Sequence, residues 1–79
     1  MIPITTIKAL GQVLARYRKD QGLSQTQVAD MFRMTQPTLS QLERGATGIK
    51  LETLFKVLSA LELEVNILPR KHESEKELW

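Results

Sequence analysis

Residues 25–44 read QTQVADMFRMTQPTLSQLER and are followed by Gly45. Ser24, just ahead of this stretch, and Gln27 have the spacing of a capping box, in which each side chain satisfies the other's free backbone N–H. The box predicts a short helix that starts at about Gln25, carries Val28, Ala29 and Phe32 inward, and ends near Phe32 or Arg33. Thr35 is the next N-cap candidate, and Pro37 falls in the first turn, where its missing N–H does no harm. A further helix is predicted from Gln36 to about Arg44, closed by Gly45. The three or four residues between the two helices force an angled pair, not a long antiparallel one.

The two sides of the later helix differ in kind. At about 100° per residue, Leu39 and Leu42 point one way, while Pro37, Ser40, Gln41 and Arg44 point the other, with Gln36 at the exposed N-terminal end. The outward set contains no carboxylate. A solvated face usually mixes Glu with Lys. This one offers amide, hydroxyl and guanidinium groups, which bond base edges or phosphates without repelling DNA. Adenine presents one acceptor and one donor in the major groove, and a glutamine amide matches both, so Gln36 and Gln41 are the candidate base readers.

Upstream, Ile7, Leu10, Val13, Leu14 and Tyr17 recur at spacings of three and four and predict a helix from about Thr6 to Gln21, stopped by Gly22. Gly11 inside it costs roughly 1 kcal/mol relative to Ala, so this helix relies on tertiary packing. Downstream of the loop Gly45-Ala46-Thr47-Gly48, the positions Leu51, Leu54, Phe55, Leu58 and Leu61 predict a fourth helix whose face packs against the others. From Leu63 to Leu68 the pattern alternates, with Leu63, Val65 and Ile67 opposite Glu64 and Asn66, and reads as one strand. No second strand is visible, so its expected partner is the same strand of another copy, which makes Leu63, Val65 and Ile67 the candidate dimerisation residues. After Pro69 the chain is polar and charged up to Trp79, its one tryptophan.

The 79 residues, 42% apolar with no cysteine, allow one small domain in need of extra stabilisation, most simply by dimerisation. A thiol nucleophile, a redox pair and a cysteine-built zinc site are excluded. The one histidine, His72, sits in the polar tail, so no catalytic residue, metal or cofactor is expected. No apolar run approaches the ~20 residues a membrane helix needs, and no basic-then-apolar leader opens the chain, so a cytoplasmic protein is expected. The net charge is only +2, but residues 1–50 carry seven Lys or Arg against three acids, whereas residues 71–79 carry two Lys against three Glu. A basic body with an acidic tail suits a protein that meets a polyanion with one part and a different partner with the other.

The stretch 25–44 with Gly45 resembles the helix-turn-helix of phage-repressor-like DNA-binding domains. The resemblance rests on Gln25 opening the first helix, Ala29 where the helices touch, apolar Val28, Met34, Leu39 and Leu42 between them, and Glu43 with Gly45 at the close. It implies an all-α fold, a lambda-repressor-like domain of four to five helices. One position departs: Arg33 stands where the family usually has Gly, at a turn residue that tends to φ > 0, which implies strain. For single residues the resemblance implies that Gln36, Pro37, Ser40 and Gln41 lie along base edges, with Pro37 against a thymine methyl. It implies that Gln25, Thr35, Thr38, Arg44, Thr47 and Lys50 hold backbone phosphates. It also implies a partly buried ion pair, Arg18–Glu43, that orients the first helix against the third.

The run ALELEVNIL (residues 60–68), the acidic extension and Trp79 resemble HipB-type antitoxins, small dimeric repressors that bind their own operator and a HipA-type kinase toxin. This narrower resemblance implies a DNA-binding domain over residues 1–62, a dimerisation strand over 63–69 and a flexible tail over 70–79. The implied partners are double-stranded DNA with an inverted-repeat site, a second copy, and the toxin, with Trp79 either anchoring the toxin or folding back on its own domain. The competing reading is a protein-interaction module, or a stand-alone phage-type repressor without a toxin.

Overall fold

The computed structural model describes residues 2–70. Four helices follow one another: α1 (Ile7–Asp20), α2 (Gln25–Met31), α3 (Gln36–Glu43) and α4 (Leu51–Ala60). Three of the four starts are set by a hydroxyl. Thr6 Oγ1 accepts from the Ala9 N–H at 3.0 Å, Ser24 and Gln27 exchange both bonds of the capping box, and Thr35 Oγ1 accepts from the Thr38 N–H. Lys50 caps α4 without a side-chain bond.

All four helices end the same way. A residue with positive φ follows the C-cap, and the next N–H reaches back five residues, as in Met34 N–H to Ala29 O at 3.0 Å and Leu63 N–H to Leu58 O at 2.8 Å. Glycine fills the left-handed position after α1 and α3 (Gly22, Gly45). Arg33, at φ 58°, fills it after α2, and Glu62, also at φ 58°, after α4. The positive φ expected at Arg33 is therefore present, although a Cβ there costs about 1–2 kcal/mol relative to glycine.

The core consists of Leu14, Val28, Leu39, Leu42, Val57, Leu58 and Leu61, with Ala29 buried beside it. α3 packs on both α1 and α2, and α2 also packs on α4. The Gln21 amide closes the far end by donating to the Leu61 carbonyl at 3.3 Å. Gly11 lies where α1 crosses the end of α3, and a Cβ there would stand 2.5 Å from the Leu42 oxygen and 2.6 Å from the Glu43 oxygen. A Cβ on Gly45 would stand 2.7 Å from Lys8 Cα. The two helices thus meet backbone to backbone.

Several apolar positions expected in the core are outside it. Ile7 and Leu51, in the first turns of α1 and α4, project past the core onto the rim of an open apolar groove shared with Leu10, Ile49 and Leu54. Tyr17 and Phe55 are also exposed. On α4 the buried residues are Val57 and Leu58, and Phe55 faces outward.

The strand expected over residues 63–69 is not formed: among the described residues there is no strand. A strand exists through its ladder, and a single copy offers this segment no partner. Leu63 belongs instead to the end of α4, where its N–H closes the cap and its side chain packs partly on the core. Beyond it, Val65, Ile67 and Leu68 are exposed, and Glu64 and Asn66 share a side, with Asn66 Nδ2 donating to Glu64 Oε2 at 3.2 Å. The tail residues 71–79, with His72 and Trp79, lie outside the described residues.

Candidate nucleic-acid interface

The sequence of α3 separates two surfaces. Leu39 and Leu42 are buried, while Gln36, Pro37, Gln41 and Arg44 are exposed and Ser40 is half-buried, so the four expected base readers share the outer side. Arg44 Nη1 donates to Ser40 Oγ at 2.9 Å, which holds the guanidinium along that side. Thr35 and Thr38 bring their hydroxyl oxygens within 2.9 Å of each other at the helix start. Thr47 and Lys50 are exposed in the loop that follows, on the route from α3 to α4.

The one carboxylate of α3 points away from this surface. Glu43 is 7% exposed and Arg18 is 9% exposed at the side chain. Arg18 Nε and Nη2 donate to Glu43 Oε2 and Oε1 at 2.6 and 3.0 Å, in the two-pronged geometry that suits a guanidinium and a carboxylate. Arg18 Nη1 adds a bond to the Leu23 carbonyl at 2.8 Å. The expected ion pair is present. It removes negative charge from the outer face and ties α1 and the turn that follows it to the end of α3.

A second tier of bonds had no signature in the spacing rules. Gln25 Nε2 donates to Glu43 Oε1 at 2.8 Å, and Gln25 Oε1 accepts from Gln36 Nε2. Gln25, expected at a phosphate, is half-buried with both ends of its amide engaged inside the chain, which leaves one N–H free. The clue available in the sequence was positional, since Gln25 and Gln36 are each the first residue of one of two helices joined by a tight turn. No group of His, Cys, Asp or Glu able to hold a metal ion occurs among the described residues, and no helix there is long and apolar enough to cross a membrane.

Comparison with known proteins agrees with this geometry. A model of the helix-turn-helix family matches residues 14–68. An uncharacterized HTH-type transcriptional regulator of Haemophilus influenzae is 36% identical over 61 residues, covering 77% of this chain and 62% of its own length. The chain thus spans about three fifths of that relative's length. The antitoxin HipB of Escherichia coli K12 is 29% identical over 65 residues, covering 82% of this chain and 74% of its own. A chain of the solved HipA-HipB-O2-O3 complex superposes with a TM-score of 0.85 at 27% identity, covering 90% of this chain and 100% of that one. With the motif, its turn and its flanking helices all accounted for, the chain belongs to the helix-turn-helix family.

Proposed function

We propose that the chain is a sequence-specific DNA-binding repressor of the HipB-antitoxin type that acts as a homodimer on an inverted-repeat operator. The observation that carries this reading is the outer face of α3, where exposed amide, hydroxyl and guanidinium groups stand clear of any carboxylate because Glu43 is locked inward by Arg18. Gln36, Pro37, Ser40 and Gln41 read base edges, while Thr35, Thr38, Arg44, Thr47, Lys50 and the free N–H of Gln25 hold phosphates. Neither role involves catalysis.

Residues 1–62 serve as the reading domain, 63–69 as the dimer strand and 70–79 as the tail. The exposure of Val65 and Ile67, together with backbone groups of 64–70 that bond no other described residue, supports pairing with a second copy. Two paired heads place their α3 helices roughly 34 Å apart, one turn of the duplex. The partner of the tail is a HipA-type kinase toxin. The similarity to HipB, which was solved in an assembly with HipA, supports this. The setting is the cytoplasm, where such a target lies.

A gel shift at two salt concentrations, comparing the DNA upstream of the protein's own reading frame with random duplex, tests the assignment. Tight, less salt-sensitive binding to the upstream DNA is expected, and equal affinity for both duplexes would overturn it. Within that assay, Gln36→Ala is expected to weaken the specific site by ~1–3 kcal/mol and leave random DNA nearly unchanged, whereas Arg44→Ala lowers both. Equal losses from the two variants would remove the division of roles.

A further inference from the structure

The geometry points to a polarity relay in which the buried Arg18–Glu43 pair, acting through Gln25, fixes which end of the Gln36 amide faces outward and so which base it accepts. The chain of reasoning is one of donors and acceptors. An ionised carboxylate only accepts, so the Gln25 group 2.8 Å from Glu43 Oε1 is its amide nitrogen. The Gln25 oxygen is then the atom turned toward Gln36, and it takes a proton from Gln36 Nε2. One N–H of Gln36 is thereby spent, which leaves its oxygen and its other N–H free. Adenine offers N6–H and N7 in the major groove, and an edge of one acceptor and one donor matches that pair, whereas guanine offers two acceptors, N7 and O6.

Glu43 is therefore a positioning residue for specificity, although it is buried and stands at the opposite end of α3 from Gln36. Arg18 holds it in register through the bonds at 2.6 and 3.0 Å. The consequence is sharp for Glu43→Gln. The new amide keeps its oxygen on Arg18 Nε, the closer partner, and places its N–H₂ where Oε1 stood, facing Gln25 at the expense of the Arg18 Nη2 bond. Gln25 then reverses and donates to the Gln36 oxygen, and Gln36 presents two N–H groups outward. That edge suits guanine.

This inference rests on the assignment of Gln36 as a base reader, and the experiment separates the two. Binding of the full chain is measured on operator duplexes carrying each of the four base pairs at every position, for the parent, Glu43→Gln, Gln25→Leu and the double variant. In parallel, the exchange of side-chain amide protons is followed by NMR in the free proteins. The parent is expected to prefer adenine over guanine about tenfold at the pair read by Gln36. Glu43→Gln reverses that preference and removes exchange protection from the Gln36 amide, while the Gln25 amide stays bonded, its acceptor changing from Glu43 to the Gln36 oxygen. Gln25→Leu brings the ratio toward one, and adding Glu43→Gln to it changes nothing further. A folded Glu43→Gln variant with unaltered base preference and a still-protected Gln36 amide overturns the relay. Should Glu43→Gln not fold, Gln25→Leu decides: an unchanged preference overturns the relay. Should no duplex bind specifically, the base-reading assignment fails, and the NMR arm alone decides whether the amides are coupled.

Discussion

Residues 7–61 and residues 64–70 treat their apolar side chains in opposite ways. In the first region Leu14, Val28, Leu39 and Val57 lie within 1% of complete burial, and the helix ends are closed by caps. In the second, Val65, Ile67 and Leu68 are 51, 89 and 60% exposed, and no backbone group bonds another described residue. The first region builds a core and closes its helix ends within one copy, even with Leu51 and Phe55 left exposed. The second has the composition of a strand and the surroundings of none, so its order depends on what it meets. Stability of the reading head and stability of the assembly are on this view separable quantities, and variants can break one while sparing the other.

The largest effect is expected at Gly11. Helix propensity alone makes Gly11→Ala a gain of roughly 1 kcal/mol. The approach of a Cβ to the Leu42 and Glu43 carbonyl oxygens at 2.5 and 2.6 Å makes it a loss of roughly 3 kcal/mol or more, because backbone must move. Urea unfolding reads the sign directly. Next, under the proposed strand pairing, comes Val65→Pro, which would remove one ladder donor per copy. Symmetry doubles the loss to about 2 kcal/mol of dimer stability, while the helical circular dichroism stays as it was. Sedimentation should show monomer where the parent is dimer, and a persisting dimer would move the interface elsewhere, for example to the exposed Leu51 and Phe55. The smallest effect is a gain: Arg33→Gly relieves the positive φ and should raise stability by about 1 kcal/mol without altering assembly.

The features legible in the sequence are those written in neighbouring residues. The Ser24–Gln27 box, the Thr35 cap with Pro37 behind it, and the glycine stops placed the helices to within a residue or two. The strain at Arg33 and the Arg18–Glu43 pair were carried by resemblance, and both are present. What the sequence did not carry depends on which helix meets which. A stripe of Leu51, Leu54, Phe55 and Leu58 defines a face but not the neighbour it reaches, so Val57 was overlooked and Phe55 misplaced. The sequence shows the propensity cost of Gly11 and its reliance on packing, but the reason for it, the Leu42 and Glu43 carbonyls, lies in another helix. The amide tier of Gln25 and Gln36 joins residues eleven apart across a bend, a distance at which no periodicity speaks.

The backbone contact of α1 with α3 at Gly11 and Gly45 has a mechanical corollary. Two helix backbones pressed together with no intervening side chain have no cushion that could shear, so these helices tilt as one rigid piece. Under the proposed function, adaptation to operators of unequal half-site spacing then falls wholly on the chain after Leu63, the hinge between reading head and dimer strand. Lengthening that hinge should alter the spacing tolerated while leaving the bases chosen within each half untouched.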